Sequence, residues 1–151
     1  MGSTLTELIT DERVTISAHV GHWRDAIRTA AEPLVADGSI TESYVTAMIQ
    51  AVEEFGPYIV LTPGLALAHA RPEGGVNRQA MSVMTLAEPI EFGHPDNDPV
   101  VIVFCLAAVD DDAHLEALRQ FVTVIKDRPR LERLISATSV EQLQRVLREE
   151  L

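Results

Sequence analysis

Two side chains in this sequence are of a type and position that could handle an anion: His69 and His114. Imidazole is largely neutral near pH 7, so its free nitrogen is nucleophilic there. His114 falls in the first turn of a helix introduced by Asp110-Asp111-Asp112. There, free backbone amides and the positive end of the helix dipole attract negative charge. His69 ends a largely apolar run beginning at Gly56, which is bent at Pro63-Gly64 and followed by Arg71-Pro72 and Gly74-Gly75. Residue type leaves two readings of His69 open, a nucleophile facing water or a strand cap bonded to backbone, and the cap is the simpler.

The remaining histidines suggest architecture. His19 and His22 flank Gly21 in a strand-to-helix connection and suit capping or surface roles, and His94 stands in a turn before Pro95. Zinc sites need three or four ligands at recognisable spacing, and no H-x-x-x-H or C-x-x-C occurs. There is no G-x-S-x-G, no P-loop and no G-x-G-x-x-G. No metal and no cofactor is therefore expected.

Those side chains need a scaffold, and 151 residues suit one domain. A chain of this size buries about 70% of its unfolded surface. The hydrophobic share is 46% and the charged share 23%, ordinary for a folded soluble protein. Twelve basic against twenty-three acidic residues leave a net charge of −11. That balance argues against nucleic acid and anionic membranes, and suits basic protein surfaces or plain solubility. Cys105 is the single cysteine and cannot form an internal disulfide, which fits a reducing setting. No apolar run reaches the ~20 residues of a membrane span, and no signal-peptide pattern opens the chain. A cytoplasmic location without membrane insertion is expected.

Residues 1–12 are polar and read as a flexible N-terminal segment, with a single domain over 13–151. Val14 to Ala18 alternates as a short strand does. Trp23, Ala26, Ile27, Ala30 and Leu34 recur at helical spacing until Asp37-Gly38. Thr41 is placed to cap a second helix lined by Val45, Met48, Ile49 and Val52 and stopped at Gly56-Pro57. Both helices read as core. Strands follow at Tyr58–Leu61 running on towards Ala66–Ala70, at Ala80–Leu86 and at Val100–Val109, the last apolar enough to be covered on both faces. The turn-rich stretch 88–99 joins the final two. The helix after Asp110 carries Leu115, Leu118, Val122 and Ile125 as its expected core face. A short helix from Pro129 precedes a last one, which Ser139 and Gln142 introduce with a capping-box pattern. Helices before and after a set of strands give an α/β fold with a central mixed sheet flanked by helices. If the strands ending at His69 and Val109 are neighbours, His69 and His114 emerge at one sheet edge, where open α/β sheets bind ligands.

Several segments together resemble enzyme IIA proteins of the bacterial sugar phosphotransferase system, in the mannitol/fructose superfamily and most of all its ascorbate-type branch. They are Gly-Pro-Tyr-Ile-Val (56–60), Pro-Gly-Leu-Ala-Leu (63–67), His-Ala-Arg-Pro-Glu (69–73), Glu-Phe-Gly-His-Pro-Asp-Asn-Asp-Pro-Val (91–100) and His-Leu-Glu-Ala-Leu (114–118). They occur in the family's order, and the resemblance spans roughly residues 20 to 150. It replaces the strand-cap reading of His69.

The resemblance implies the enzyme IIA mannitol/fructose-type fold. It implies a phosphotransferase in which His69 takes a phosphoryl group from the histidine-containing phosphocarrier protein and passes it to a IIB component, and through that to a membrane IIC, for uptake of ascorbate or a pentitol-like sugar. His114 corresponds to the histidine that steadies the phosphoryl oxygens, and Arg71 is the nearest phosphate-stabilising cation, its guanidinium fork suited to phosphate or equally to a surface ion pair. Two positions depart from the pattern: Ala68 stands where the family has proline before the phosphorylated histidine, and Glu53-Glu54 where the mannitol branch carries an arginine. Two other readings stay in view: a regulatory module whose phosphorylation state a partner reads, as the family's nitrogen-related branch implies, and a non-catalytic binding domain, which the missing proline makes conceivable. Monomer and homodimer both remain open.

Overall fold

The computed structural model describes residues 5–149; residues 1–4, and with them the start of the expected flexible segment, lie outside. Its centre is a five-stranded sheet ordered β1-β4-β5-β3-β2. The strands are β1 (Val14–Ala18), β2 (Val60–Thr62), β3 (Leu65–Ala68), β4 (Ala80–Ile90) and β5 (Val100–Ala107). β1 runs parallel to β4 and β3 parallel to β5, whereas β4–β5 and β2–β3 are antiparallel, so the sheet is mixed as expected. Being central, β5 is buried at every position except Val101, in keeping with its unbroken apolar sequence.

Helices cover both faces. A short α1 (Leu5–Leu8) leads the chain, and α2 (Trp23–Ala36) and α3 (Glu42–Phe55) lie on one side. On the other lie α4 (Asp111–Ile125), α5 (Arg128–Ile135) and α6 (Val140–Leu147), with α1 packed among them. The N-terminal segment departs from the sequence expectation over its described part. Leu5, Leu8 and Ile9 are buried, and Gln144 of α6 donates to the Ile9 carbonyl at 2.8 Å. Three apolar side chains at helical spacing were enough to dock a segment whose overall composition is polar.

Three further details differ. Residues 58–70 form a hairpin rather than one bent run, because Gly64 adopts φ +86° and lets β3 double back beside β2. β4 continues through Pro89, which is tolerated where the β4–β5 register breaks between Thr85 and Ile90. On α4 the buried residues are Ala117, Phe121 and Val124, while Leu115 and Val122 stay 53% and 48% exposed. The helix carries two overlapping apolar stripes that share Leu118 and Ile125. The stripe holding the larger side chain faces the core, where Phe121 packs edge-on to Phe104 of β5 at 4.8 Å.

Candidate active site

β3 and β5 are neighbours in the sheet, so the assumed adjacency of the two histidines is present. His69 follows the last residue of β3, and His114 lies in the first turn of α4, which begins four residues after β5 ends. Their ring centroids are 5.4 Å apart, and Tyr58 sets its ring edge-on to His69 at 5.7 Å. Asp110 caps α4 by accepting from the Ala113 amide at 2.8 Å, which fixes the turn that carries His114.

The position before His69 is held without a proline. Ala68 is buried and pairs with Cys105 of β5, so the ladder itself delivers the histidine. His69 Nδ1 lies 2.9 Å from the Leu67 carbonyl. A carbonyl only accepts, so that hydrogen bond places the proton on Nδ1 and leaves the Nε2 lone pair free. Burial holds the His69 pKa below the ordinary imidazole value, although the bond to Leu67 pulls the other way. His114 is also lowered, first by burial and then by His69 itself, with Asp111 opposing. Both rings are therefore neutral at pH 7, the state a nitrogen nucleophile requires.

A cleft of about 470 Å³ opens beside this pair, lined by His69, His114, Arg71 and Tyr58 and along one side by α3. Arg71 is exposed; its carbonyl accepts from the Gly74 amide at 3.0 Å, but its guanidinium has no hydrogen bond or ion pair among the described residues, so the surface ion pair weighed for it is not formed there. The loop after it is seated on the start of α3: Ser43 Oγ donates to the Gly74 carbonyl at 2.9 Å, and the Thr41 amide to Gly75 at 3.0 Å. Thr41 does occupy the N-cap of α3, but it makes no side-chain cap bond. A Cβ on Gly75, whose φ is +132°, would fall 2.1 Å from Thr41 Oγ1, so only glycine fits this junction.

With this geometry in view, the comparisons with known proteins are decisive. The family model for the phosphoenolpyruvate-dependent sugar phosphotransferase system, EIIA 2, matches residues 7–150. The chain belongs to that family. It is 36% identical over 137 residues to the ascorbate-specific EIIA component of Escherichia coli K12, covering 90% of this chain and 89% of that one. The solution structure of the cryptic mannitol-specific enzyme IIA of Escherichia coli superposes with a TM-score of 0.88 at 28% identity, over 96% of this chain and 98% of that one. The enzyme IIA in the Escherichia coli complex with phosphorylated mannitol enzyme IIB superposes with a TM-score of 0.81 at 25% identity, over 93% and 98%.

In this enzyme IIA two of the other histidines do structural work. His22 caps α2 by accepting from the Arg24 amide at 3.1 Å, and His94 Nδ1 accepts from the Asp96 and Asn97 amides at 3.1 and 3.0 Å. His19 is exposed, 4.0 Å from Glu88. Glu53, one of the two departures, pairs with Arg24 at 2.7 Å, whereas Glu54 faces the cleft. Reading α3 purely as core missed its contribution to the site. Ala47, Gln50, Ala51 and Glu54 recur at i, i+3, i+4 and i+7 as a second face, small and polar, and that face lines the cleft. Cys105 is buried, and burial pushes its thiol up to about 12, so it is chemically inert.

Proposed function

We propose that this enzyme IIA carries a phosphoryl group on His69 Nε2. The observation that carries the reading is a neutral imidazole lining an open cleft, its Nδ1 engaged and its Nε2 without a hydrogen bond among the described residues, beside a second neutral imidazole and a guanidinium that has no partner among those residues. The donor is the phosphohistidine of the histidine-containing phosphocarrier protein. Its N–P bond breaks, and the electron pair returns to the donor ring as the bond to Nε2 forms. Each ring keeps the proton on its other nitrogen, which in His69 is the one held by Leu67. The reverse attack, by a nucleophile on a IIB component, discharges it.

Such a transfer asks for in-line placement and charge neutralisation more than for acid–base power. His114 and Arg71 supply donors to the three phosphoryl oxygens. The rim of the cleft suits protein partners: Phe55 is 70% exposed, and Tyr58 and Leu115 are also open to solvent. The net charge of −11 favours partners with basic faces. By its likeness to the ascorbate-specific relative, the sugar delivered by the linked membrane IIC is ascorbate, and the protein works in the cytoplasm. No helix among the described residues is long and apolar enough to cross a membrane.

The test is incubation with the phosphocarrier, its kinase and labelled phosphoenolpyruvate, followed by a IIB protein. Label on the wild type, absent from His69→Ala and passed on to IIB, is the expected result. Equal labelling of wild type and His69→Ala overturns the assignment.

A further inference from the structure

Tyr44, on α3, is fully buried, and its hydroxyl joins the two segments that carry the histidines. The Ala70 amide donates to Tyr44 Oη at 3.0 Å. The hydroxyl in turn donates to the Leu106 carbonyl at 2.9 Å, with the Ala70 carbonyl 3.2 Å away as an alternative acceptor. Burial raises the phenol pKa, so the proton needed for that donation is always present.

The sheet register explains why the hydroxyl sits there. In the parallel β3–β5 pair Leu65 lies opposite Ile102 and Ala68 opposite Cys105, and the Ile102 amide donates to the Gly64 carbonyl. A parallel ladder bonds every second residue, so its rungs to β5 carbonyls run from Ala66 to Ile102 and from Ala68 to Phe104. The next rung would join the Ala70 N–H to the Leu106 C=O. Those are the two groups that Tyr44 Oη holds apart, accepting from one and donating to the other. The ladder is not broken at this point; it is lengthened by one oxygen. β3 is thereby splayed from β5 one residue beyond His69, between the strand ends that lead to His69 and to α4.

We propose that Tyr44 is a positioning residue for phosphoryl transfer, its hydroxyl spliced into the β3–β5 ladder as a spacer that sets the separation of His69 and His114. It touches no reacting atom. Without the oxygen, Ala70 N–H and Leu106 C=O are free to bond directly, and the end of β3 closes towards β5 and carries His69 with it. The role rests on the phosphocarrier reading of His69.

Tyr44→Phe removes only the oxygen. The expected result, measured well below the unfolding temperature, is a kcat for phosphoryl acceptance lowered about 10–100-fold with KM for the phosphocarrier within about twofold, the loss that a misplacement of order 1 Å produces. Changed NMR titrations of both His69 and His114, and an altered ring-to-ring NOE between them, accompany it. Wild-type kcat with unchanged imidazole titrations in Tyr44→Phe overturns the proposal, whatever happens to the melting temperature. Should that variant fail to fold, the wild type still decides: a slowly exchanging Tyr44 hydroxyl proton with an NOE to the Ala70 amide is expected, and a freely exchanging hydroxyl without one overturns the spacer. A wild type that takes no label at all overturns the phosphocarrier reading and this role with it, whereas labelled wild type with a fully active Tyr44→Phe overturns this role alone.

Discussion

The end of β3 and the loop 92–98 each fix a histidine through Nδ1, and with opposite polarity. At His69 the ring nitrogen donates to a backbone carbonyl, so the remaining nitrogen is left with a lone pair. At His94 the ring nitrogen accepts from two backbone amides, so the remaining nitrogen carries the proton. One arrangement leaves a nitrogen able to serve as the proposed nucleophile, and the other makes a turn. Both histidines lie in segments rich in proline and glycine and both belong to stretches resembling the family, so the residue and its neighbourhood do not separate them. The direction of one hydrogen bond does. The two regions also touch: Asn97 donates to Val60 through its side chain and accepts from Gly64, bracing the hairpin that presents His69.

The largest effects should fall wholly on the β3 side of this comparison. Beyond the total loss at His69→Ala, His114→Ala is expected to slow phosphoryl acceptance about 10²-fold, the usual result of deleting one preorganised donor to developing charge. Arg71→Ala removes a cation that water partly replaces, so about tenfold is expected, with Arg71→Lys intermediate because the fork geometry goes and the charge stays. Single-turnover labelling measures all three. Rates unchanged in His114→Ala would leave His69 acting without its neighbour and remove the reason for their proximity.

A smaller and more diagnostic effect concerns pH. Because burial lowers the His69 pKa, the neutral nucleophile persists below the ordinary imidazole value of about 6.5. The acceptance rate should therefore be level from pH 8 to below about 6.5 and decline only under more acidic conditions. Stability carries the same sign. The unfolded chain protonates these histidines at a higher pH than the folded one, so as pH drops below about 6.5 it takes up more protons and stability falls. Above that value the contribution is complete. In His69→Ala the His114 titration should move up, since proximity to His69 is one cause of its lowering. NMR titration of the imidazoles checks each point, and a rate that already falls through pH 7 would contradict the buried neutral nucleophile.

Much of this architecture was legible in the sequence for physical reasons. The 3.6-residue periodicity of α2 and α3, the Ser139 cap of α6 and the all-apolar β5 each have a single low-energy interpretation. Where two interpretations competed, the sequence did not choose. Leu115 and Val122 lie on a helix that can bury either of two stripes, and the choice depended on Phe121 meeting Phe104, a contact between residues far apart in the chain. The pairing of His69 with His114 likewise depended on β3 lying beside β5, a topological fact that no local pattern encodes. Arg71 was placed by resemblance, and only the structure shows its guanidinium beside the cleft with no partner among the described residues. Tyr44 drew no reading from the sequence, since nothing local announces that its hydroxyl reaches both Ala70 and Leu106.

The smallest effect tests the loop side, and it should appear in stability alone. Asp98 accepts from the amides of Phe92, Gly93 and His94 at 2.7 to 3.1 Å, and His94 Nδ1 takes those of Asp96 and Asn97, so all five backbone donors from 92 to 97, Pro95 having none, close on two side chains. His94→Ala removes one acceptor at a partly solvated site, which costs about 1 kcal/mol and lowers the melting temperature by about 2–4 °C in a domain of this size. His94→Asn keeps a side-chain oxygen able to accept from amides two and three residues on, as Asx turns do, and should recover most of that loss. Thermal unfolding followed by circular dichroism ranks the three proteins, with phosphoryl acceptance measured alongside. A His94→Asn variant as stable as the wild type but slow to accept phosphate would show that His94 takes part in transfer, and the contrast drawn from hydrogen-bond polarity would fail.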